Sequence, residues 1–461
     1  MKNQKEILRF APSPTGMPHI GNLRTAIVNC MYIKSRSNSA QMRLRIEDTD
    51  PDRSKPEFTK AILQSMNWLG IHWQGDVVIQ SERLSRHIEI ANMLLNQNKA
   101  YRCNCVQNSN DVCVCKNREI FDSNTAIKLI VPKSGEIILE DKVKGKIVQK
   151  NENLQDIVIV RSNGMPTYMF CVVVDDHDMD ITLVIRGEDH ITNTFKQIHI
   201  YQALDWQIPD FAHLPMLLAP DGAKLSKRNA VTNILNYIDD GILSDALKNY
   251  LIMLSWRYER VQKEHNLPIS DIFDLNQMAQ YFDLKDLKSA PSKFDWQKLL
   301  DMNFKYINMM QNDDLLVKLE EFSGRKIENR QLAIQLLPEM KKRANTLKVL
   351  LHMLDSYLSA EYFENLINNL DEESAAIIAK SKGNLREYVE MLSQIDWVMK
   401  KIDIMTREFA EMKSMKLSEI AQALRIAISG SRVSIGIFEA MVLLGKEETL
   451  SRILYSCDKC M

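Results

Sequence analysis

The first fifty residues show both of the apolar spacings that distinguish strands from helices. Residues 7–11 form a short, mostly apolar run that stops at Pro12, as expected of a strand. Apolar residues then recur every three or four positions over residues 22–34, as on one face of a helix, and at every second position over residues 42–46, as on a strand. This β-loop-α-β order predicts the start of a parallel, nucleotide-binding sheet.

Apolar runs farther along the chain predict further elements. They predict strands over residues 156–160, 167–174 and 181–185 and a helix over residues 191–204. Residues 417–428 have helical spacing, with Ser418 as a candidate N-cap and Gly430 as a candidate stop.

Proline and glycine are concentrated in the first two thirds of the chain. Twelve of the 13 prolines and ten of the 15 glycines lie at or before Pro291, and only Pro338 follows among the prolines. Because these residues separate short elements and are excluded from long helices, their distribution predicts an α/β first part and an all-helical second part. The boundary is expected near residues 288–310.

Composition narrows the class of protein but does not identify a partner. With 461 residues, 45% hydrophobic and 26% charged, the chain is typical of a globular protein and not of a disordered or collagen-like one. The apolar run Met169–Val174 is far shorter than the ~20 residues that span a bilayer. We therefore expect a cytoplasmic protein without membrane contact. Lys plus Arg number 59 against 60 Asp plus Glu, so any nucleic-acid surface must be local.

Two short motifs point to a polyphosphate site. Residues 19–22 fall where the first loop meets the first helix, whose N–H groups and dipole attract anions. There Gly21 allows close approach of a ligand, and His19 offers a donor to phosphate oxygens. Residues 224–228 place three cations in five positions, which suits the same ligand. A helix-capping turn and a solvated surface run are the structural alternatives, and the presence of both motifs in one chain disfavours them.

Four cysteines lie close together in the first half of the chain. Cys103 and Cys105 are followed after seven residues by Cys113 and Cys115, a spacing that allows one tetrahedral zinc site. The alternative is a set of free thiols on a surface hairpin.

Several motifs taken together match one family. They are residues 12–16 (PSPTG), 19–22 (HIGN), 45–50 (RIEDTD), 166–168 (PTY), 174–177 (VDDH), 185–190 (IRGEDH) and 224–228 (KLSKR). With them, the chain resembles a bacterial glutamyl-tRNA synthetase, of the class I aminoacyl-tRNA synthetases, over residues 7–452. One departure is Val172, where some members carry an Asn that touches the substrate, and the connection between the cysteine pairs is shorter than in that family.

The resemblance implies a fold with defined parts. We expect an α/β Rossmann-type catalytic domain with an inserted acceptor-binding α/β subdomain, followed by an all-α C-terminal anticodon-binding region. The implied bounds are 1–80 and 190–240 for the catalytic core, 81–189 for the insertion with the zinc candidate and returning core strands, 241–310 for a helical stem-contact domain, and 311–461 for the anticodon-binding domain.

The resemblance also implies roles for individual residues. Arg9 and Arg186 would hold the side-chain carboxylate of glutamate, and Glu47 would neutralise its ammonium group, while Ser13 and Tyr168 would donate or accept hydrogen bonds in the same pocket. An exposed strand face for Arg45 and Glu47, or a local ion pair of Arg186 with Glu188 or Asp189, is the structural alternative.

Two further sets of residues follow from the resemblance. The ATP site would comprise Pro12, His19, Gly21, Asn22, Asp189, Lys224, Ser226, Lys227 and Arg228, with His19, Lys224 and Lys227 as the catalytic groups. Lys341, Lys342 and Arg343, which we expect to begin a helix, are candidates for contacts with tRNA phosphates.

The implied activity is ATP-dependent attachment of L-glutamate to the 3′ end of tRNA-Glu through a glutamyl-adenylate. Mg²⁺ would accompany ATP, a structural Zn²⁺ is implied by the cysteines, and we expect a monomer. Charging of tRNA-Gln instead of or beside tRNA-Glu remains open. A glutaminyl-tRNA synthetase, a shortened paralogue that glutamylates a tRNA base, and a non-catalytic RNA-binding or nucleotide-binding paralogue are the competing functions.

Overall fold

The protein divides into two compact units. The computed structural model describes residues 5–36, 39–105, 115, 124–223, 225 and 233–459. Unit 1 comprises Met1–Asn236 and Leu247–Trp296, and unit 2 comprises Tyr237–Ala246 and Gln297–Met461. The finer division into an inserted subdomain and a stem-contact domain stays a prediction.

The strands belong to the first unit. Their bounds are β1 Glu6–Phe10, β2 Ala40–Ile46, β3 Val78–Ile79, β4 Ala100–Cys103, β5 Ala126–Leu129, β6 Glu136–Asp141, β7 Gly145–Lys150, β8 Ile157–Val160, β9 Leu183–Gly187, β10 Asp210–Leu214, β11 Leu217–Leu218 and β12 Ser292–Lys293. The helices before residue 280 are α1 Ile20–Ser35, α2 Pro56–Trp68, α3 Leu84–Asn96, α4 Tyr168–Asp178, α5 Ile191–Ala203, α6 Ile234–Asp239, α7 Ser244–Ser255, α8 Tyr258–Glu264 and α9 Leu275–Ala279.

A parallel five-stranded sheet, in the order β10-β9-β1-β2-β3, is the centre of unit 1. In β9, the consecutive residues Leu183, Val184 and Ile185 point to alternate faces of the sheet and are at most 3% exposed, so both faces are covered there, as parallel sheets require. The order places β1 and β9 side by side, and their carboxyl ends meet at one edge, where open α/β sheets bind ligands. This confirms the predicted strands at residues 7–11, 42–46 and 181–185.

The strand predicted over residues 167–174 is wrong, because this segment forms the first part of helix α4. Every residue from Phe170 to Asp176 is buried, so the helix shows no polar face there. A helix buried on all sides produces a continuous apolar run, which spacing alone cannot distinguish from a buried strand.

Two smaller sheets lie between residues 100 and 160. One is antiparallel with the order β4-β5-β8, and the other is the hairpin β6-β7. Residues in β6 alternate between exposed and buried, and Ile137 and Leu139 pack against Phe211 of β10. The hairpin therefore covers the β10 side of the central sheet and directs Asp141, the last residue of β6, toward its interior.

Among its described residues, the second unit contains helices joined by turns and loops, and no strand. The helices after residue 295 are α10 Trp296–Met309, α11 Asn312–Ser323, α12 Arg330–Met340, α13 Leu347–Leu358, α14 Ala360–Asn368, α15 Glu372–Leu392, α16 Met399–Met412, α17 Leu417–Ser429, α18 Ile437–Leu444 and α19 Lys446–Lys459. Together with the sheet of unit 1, they confirm the predicted α/β part followed by an all-helical part. None of the helices in the described ranges has both the length and the apolar character to cross a bilayer.

Two details of the helical part differ from the sequence prediction. Ser418 is not the N-cap of α17, because the helix already begins at Leu417, where the Glu419 carboxylate accepts the backbone N–H of Lys416 at 3.3 Å. Gly430 does end this helix, in the left-handed conformation at φ 67° that favours glycine. Residues 341–343 follow α12 instead of beginning a helix.

Candidate active site

A cavity of about 210 Å³ opens where β1 and β9 end and α1 begins. The five residues expected to bind glutamate all line it, although they come from distant parts of the sequence: Arg9, Ser13, Glu47, Tyr168 and Arg186. Pro12, His19 and Asn22, from the expected nucleotide site, line the same cavity. The structure therefore brings these residues together around one space.

Arg186, on β9, is buried, and its hydrogen-bond partners in the described part of the chain are all neutral. Its Nε donates to His213 Nε2 at 3.2 Å, and its Nη2 donates to Thr194 Oγ1 at 2.8 Å and to Gln197 Oε1 at 2.7 Å. Nη1 has no hydrogen-bond partner among the described residues. A buried guanidinium whose acceptors are all neutral favours an anionic ligand, because no carboxylate of the described residues forms an ion pair with it.

Burial also affects the acid–base behaviour of Arg186. Loss of hydration lowers its pKa, and the positive charge of Arg9 adds to this effect. Tyr168, Asp176 and Glu47 act in the opposite direction without reversing it. The local ion pair considered from the sequence is not formed with Glu188, which instead pairs with Lys144 and accepts the backbone N–H of Met216 at 2.7 Å.

Arg45 is also buried, but it has the opposite surroundings. Its Nη2 lies 2.9 Å from a Glu47 oxygen, its Nη1 lies 2.6 Å from Asp176, and its Nε lies 4.0 Å from Asp175. Burial acts to lower the pKa of Arg45, but the three carboxylates together raise it above its usual value. The alternative of an exposed strand face is wrong, since Arg45 is 0% exposed. Its role is to hold acidic side chains in place.

Glu47 and Arg9 lie between this network and the cavity. Arg9 donates through Nε to both oxygens of Asp176, at 3.3 and 3.4 Å. Burial raises the pKa of the Glu47 carboxyl, and the charges of Arg45 and Arg9 oppose this effect without reversing it. A bound ammonium group beside Glu47 would favour the ionised carboxylate. Opposite charges are thus available on the cavity wall for both ends of an amino acid.

Asp175 anchors helix α4 from its other side. One of its oxygens lies 2.8 Å from His87 Nε2 and 2.6 Å from Arg83 Nε, and the other accepts from Gln80 at 2.8 Å. These contacts fix α4, whose first residue, Tyr168, lines the cavity. Burial raises the pKa of the Tyr168 hydroxyl, and Glu47 adds to the effect, so the group remains a neutral donor.

His190 is a cavity residue to which the sequence assigned no role. It follows Arg186 by four positions, its ring centroid lies 6.0 Å from that of Tyr168, and it lines the cavity. Burial, together with the charge of Arg186, lowers its pKa to about 4. Its place in the motif at residues 185–190 was the available signal, because it lies just beyond the same strand end.

The turn into α1 has the geometry expected of the first phosphate motif. His19 precedes the helix in an extended conformation, and the backbone N–H of Asn22 donates to its carbonyl oxygen at 2.9 Å. A Cβ on Gly21 would lie 3.0 Å from His19 Nδ1, so a larger residue would displace the imidazole ring. Gly21 and Asp189 are not themselves in the cavity wall, and Asp189 lies against Gly187.

The second phosphate motif lies mostly outside the described residues. This applies to Lys224, Ser226, Lys227 and Arg228, while Leu225 donates its N–H to the carbonyl oxygen of Leu217 at 3.5 Å. Their expected roles stay predictions.

Three of the four cysteines in the zinc candidate lie close together. The sulfur atoms of Cys103, Cys105 and Cys115 all lie within 4.8 Å of one another, and Cys105 Sγ is 3.1 Å from Cys115 Sγ. Cys113 lies outside the described residues. Because zinc is held by thiolates at ~2.3 Å in a tetrahedron, this arrangement fits three ligands of one ion.

The three cations expected to contact tRNA lie just after α12 in unit 2. Lys342 pairs with Glu339, Arg343 Nη1 donates to the Glu339 carbonyl oxygen at 2.7 Å, and Lys341 Nζ donates to the Met310 carbonyl oxygen at 3.0 Å. They are close in sequence, but Glu339 offsets part of their charge.

Sequence profiles match most of the chain. The family described as "tRNA synthetases class I (E and Q), catalytic domain" matches residues 7–111 and 107–301, and the family described as "Anticodon binding domain" matches residues 308–456.

Curated proteins and solved structures are similar over nearly the whole length. Glutamate–tRNA ligase 2 of Wolbachia sp. subsp. Brugia malayi (strain TRS) is 38% identical, with 97% of this chain and 98% of that protein covered. Glutamate–tRNA ligase of Afipia carboxidovorans (strain ATCC 49405 / DSM 1227 / KCTC 32145 / OM5) is 37% identical with the same coverage. A solved glutamate tRNA ligase from Elizabethkingia meningosepticum CCUG26117, in complex with its amino acid, has a TM-score of 0.78 at 26% identity, with 99% of this chain and 100% of that chain covered.

Proposed function

Because the chain belongs to the glutamate–tRNA ligase family of class I aminoacyl-tRNA synthetases, we propose that it joins L-glutamate to the 3′ end of tRNA-Glu through a glutamyl-adenylate. Membership confirms the resemblance predicted from the sequence motifs. The single observation that carries the choice of substrate is Arg186, whose buried charge has only neutral partners in the described residues. A side-chain carboxylate would compensate that charge, whereas the amide of glutamine would not.

The cavity can orient glutamate by both ends. Arg186 receives the side-chain carboxylate, with Arg9 nearby, and Glu47 receives the ammonium group. Tyr168 and Ser13 supply hydroxyl groups to the same molecule. The arrangement leaves the α-carboxylate to face the turn at the start of α1, which is the place expected for the α-phosphate of ATP.

Activation then needs positioning and positive charge but no side-chain nucleophile. The α-carboxylate attacks the α-phosphorus, pyrophosphate leaves, and a mixed anhydride with AMP remains. His19 and the N–H groups of α1 stabilise the added negative charge together with Lys224 and Lys227. Mg²⁺ carried by the nucleotide supplies further positive charge when bound. The ribose hydroxyl of the terminal tRNA adenosine finally attacks the anhydride, which releases AMP.

The helical unit matches a sequence profile described as an anticodon-binding domain, and this match supports the proposal that tRNA is a substrate. Lys341, Lys342 and Arg343 are candidate phosphate contacts within it. In unit 1, Cys103, Cys105 and Cys115, together with Cys113, would hold a structural zinc ion.

Competing functions make different predictions for the substrates. A non-discriminating enzyme, or one specific for tRNA-Gln, would attach glutamate to tRNA-Gln. A glutaminyl-tRNA synthetase would use glutamine, which the uncompensated charge of Arg186 disfavours. A non-catalytic paralogue would form no product, but His19, Glu47 and both cavity arginines are retained.

The test is aminoacylation of purified tRNA-Glu and tRNA-Gln, each with glutamate and with glutamine. We expect glutamyl-tRNA-Glu as the main product. Preferential incorporation of glutamine would overturn the proposal, and glutamyl-tRNA-Gln would extend the RNA specificity without changing the amino acid.

Lys227→Ala should slow activation by about 10²–10³ if the cation stabilises developing charge, and unchanged single-turnover activation would contradict that role.

A further inference from the structure

Asp141 connects the β6-β7 hairpin to the active site through a buried histidine. Its Oδ2 lies 2.6 Å from Nδ1 of His213 on β10, and neither side chain is accessible to solvent. Asp141 also accepts the backbone N–H groups of Val143 and Lys144, at 2.9 and 2.8 Å. These bonds hold the carboxylate in a fixed place at the end of β6, and the hydrogen bonds lower its pKa although burial opposes them.

This contact determines which nitrogen of His213 carries the proton. A carboxylate can only accept, so the hydrogen atom lies on Nδ1, and Nε2 has a free lone pair. Two groups lie near that lone pair: Nε of Arg186, which has a hydrogen to donate, at 3.2 Å and Oγ1 of Thr194 at 3.1 Å. The Thr194 hydroxyl can instead donate to the carbonyl oxygen of His190 at 3.1 Å, which leaves Nε2 as the acceptor for Arg186. Burial lowers the pKa of His213, which is consistent with a neutral ring. With the proton on Nε2, two N–H groups would face each other.

The relay of Asp141 and His213 orients Arg186 without neutralising it. His213 occupies Nε, and two neutral side chains of α5 occupy Nη2, so the guanidinium plane is fixed while Nη1 has no protein partner among the described residues. A carboxylate in direct contact with Arg186 would also orient it, but it would compete with the ligand. The negative charge of Asp141 is instead separated from the guanidinium by the imidazole ring.

We propose that Asp141 and His213 are positioning residues that fix Arg186 for the side-chain carboxylate of glutamate and thereby set the preference for glutamate over glutamine. This inference rests on the proposed function. The relay keeps a full positive charge available in a fixed direction, so a carboxylate gains more from it than an amide does.

Two substitutions of His213 separate its two hydrogen bonds. His213→Asn places an amide near Nδ1 and keeps a partner for Asp141, but it removes the acceptor for Arg186. His213→Gln reaches the position of Nε2 and keeps that acceptor. Asp141→Asn retains an oxygen for the backbone N–H groups but can donate to Nδ1, which forces the wrong tautomer of His213.

The measurements are KM for glutamate, KM for ATP and kcat in aminoacylation of tRNA by the full chain, with glutamine as the competing amino acid. We expect His213→Asn and Asp141→Asn to raise KM for glutamate roughly 10-fold to 100-fold, the range lost with one charged hydrogen bond. The preference for glutamate over glutamine should fall by a similar factor. KM for ATP should stay within about twofold, and His213→Gln should stay close to the wild type, because the nucleotide contacts and the acceptor are retained.

A purely structural role predicts a different pattern. The control is His199→Asn, which removes a buried imidazole on α5 that forms no hydrogen bond with Arg186. Melting temperatures are measured for all variants, so that a general loss of stability can be separated from an effect on glutamate. Equal losses in His213→Asn and His213→Gln, unchanged KM for glutamate in His213→Asn and Asp141→Asn, or loss of folding in all three relay variants would overturn the proposal. If the wild-type chain does not charge tRNA with glutamate, the proposed function fails; if it does and the variants do not differ from it, only the positioning role fails.

Discussion

Arg45 and Arg186, two of the buried arginines in the active-site region, offer a test in which the same substitution should have different consequences. Arg45 contacts Glu47 and Asp176 at 2.9 and 2.6 Å, while the acceptors of Arg186 are a neutral imidazole, hydroxyl and amide. Replacing each by methionine removes the charge and keeps most of the volume. Arg45→Met should impair folding, whereas Arg186→Met should impair glutamate use.

The expected magnitudes follow from the partners that each substitution leaves behind. Arg45→Met leaves buried carboxylates without their ion-pair partner, and removal of one member of a buried ion pair lowers the free energy of unfolding by about 3–5 kcal/mol. Arg186→Met leaves only neutral acceptors, at roughly 1 kcal/mol per lost hydrogen bond, and removal of an uncompensated buried charge offsets part of this. Loss of a buried contact between the ligand carboxylate and Arg186 should weaken glutamate binding by about 2–5 kcal/mol, or roughly 30-fold to 4000-fold.

Two assays separate these outcomes. Urea unfolding followed by circular dichroism gives the change in stability, and aminoacylation at varied glutamate concentration gives kcat/KM. We expect Arg45→Met to lose at least about 3 kcal/mol of stability and Arg186→Met to lose less while its kcat/KM for glutamate falls by the larger factor. An Arg186→Met enzyme with normal kcat/KM for glutamate, or an Arg45→Met chain as stable as the wild type, would refute the reasoning.

Three further predictions concern separate parts of the chain. Gly430→Ala should lower the free energy of unfolding by about 1–3 kcal/mol more than Gly324→Ala does. Both glycines have a positive φ, 67° and 68°, but of the two only Gly430 has a neighbouring side chain that a Cβ would meet, Leu366 Cβ at 2.7 Å. Equal urea midpoints for the two variants would count against this. The pKa of His190 is lowered from 6.5 to about 4, so the unfolded chain binds more protons than the folded chain between these pH values. The free energy of unfolding should therefore fall as the pH drops from 6.5 to about 4, and it should fall less steeply in His190→Asn. Identical pH profiles for the wild type and the variant would exclude this contribution. A purified chain with zinc should lose the metal and melt at a lower temperature after chelation, and Cys105→Ser should bind less zinc in the same preparation; an unchanged metal content would argue against the site.

Local spacing was sufficient for elements whose apolar residues recur with a regular period. Helix α1 and strand β2 each bury an alternating or helical set of apolar residues, and their bounds differ from the predicted ones by only a few positions. The apolar run at residues 167–174 was wrongly predicted to be a strand because the described residues Phe170–Asp176 of α4 are all buried. Its helical form depends on packing within unit 1, which spacing along the sequence does not record.

The motifs identified most of the cavity wall, but not the contacts behind it. Arg9, Glu47 and Arg186 could be assigned because each matches a family position at a strand end. Asp141 and His213 are 72 positions apart and lie in no motif, so their contact depends on the packing of the hairpin against β10, which the sequence does not reveal. The burial of Arg45 was equally hidden, since an alternating Arg and Glu pair usually marks an exposed strand face.

The central claim is that the charge of Arg186 selects the side-chain carboxylate of glutamate. A crystal structure of the chain with bound glutamate tests it most directly, through the distance from that carboxylate to the guanidinium. We predict a charged hydrogen bond at about 2.7–2.9 Å, with the ammonium group at Glu47. A side-chain carboxylate bound elsewhere in the cavity, with Arg186 still contacting only His213, Thr194 and Gln197, would contradict the account.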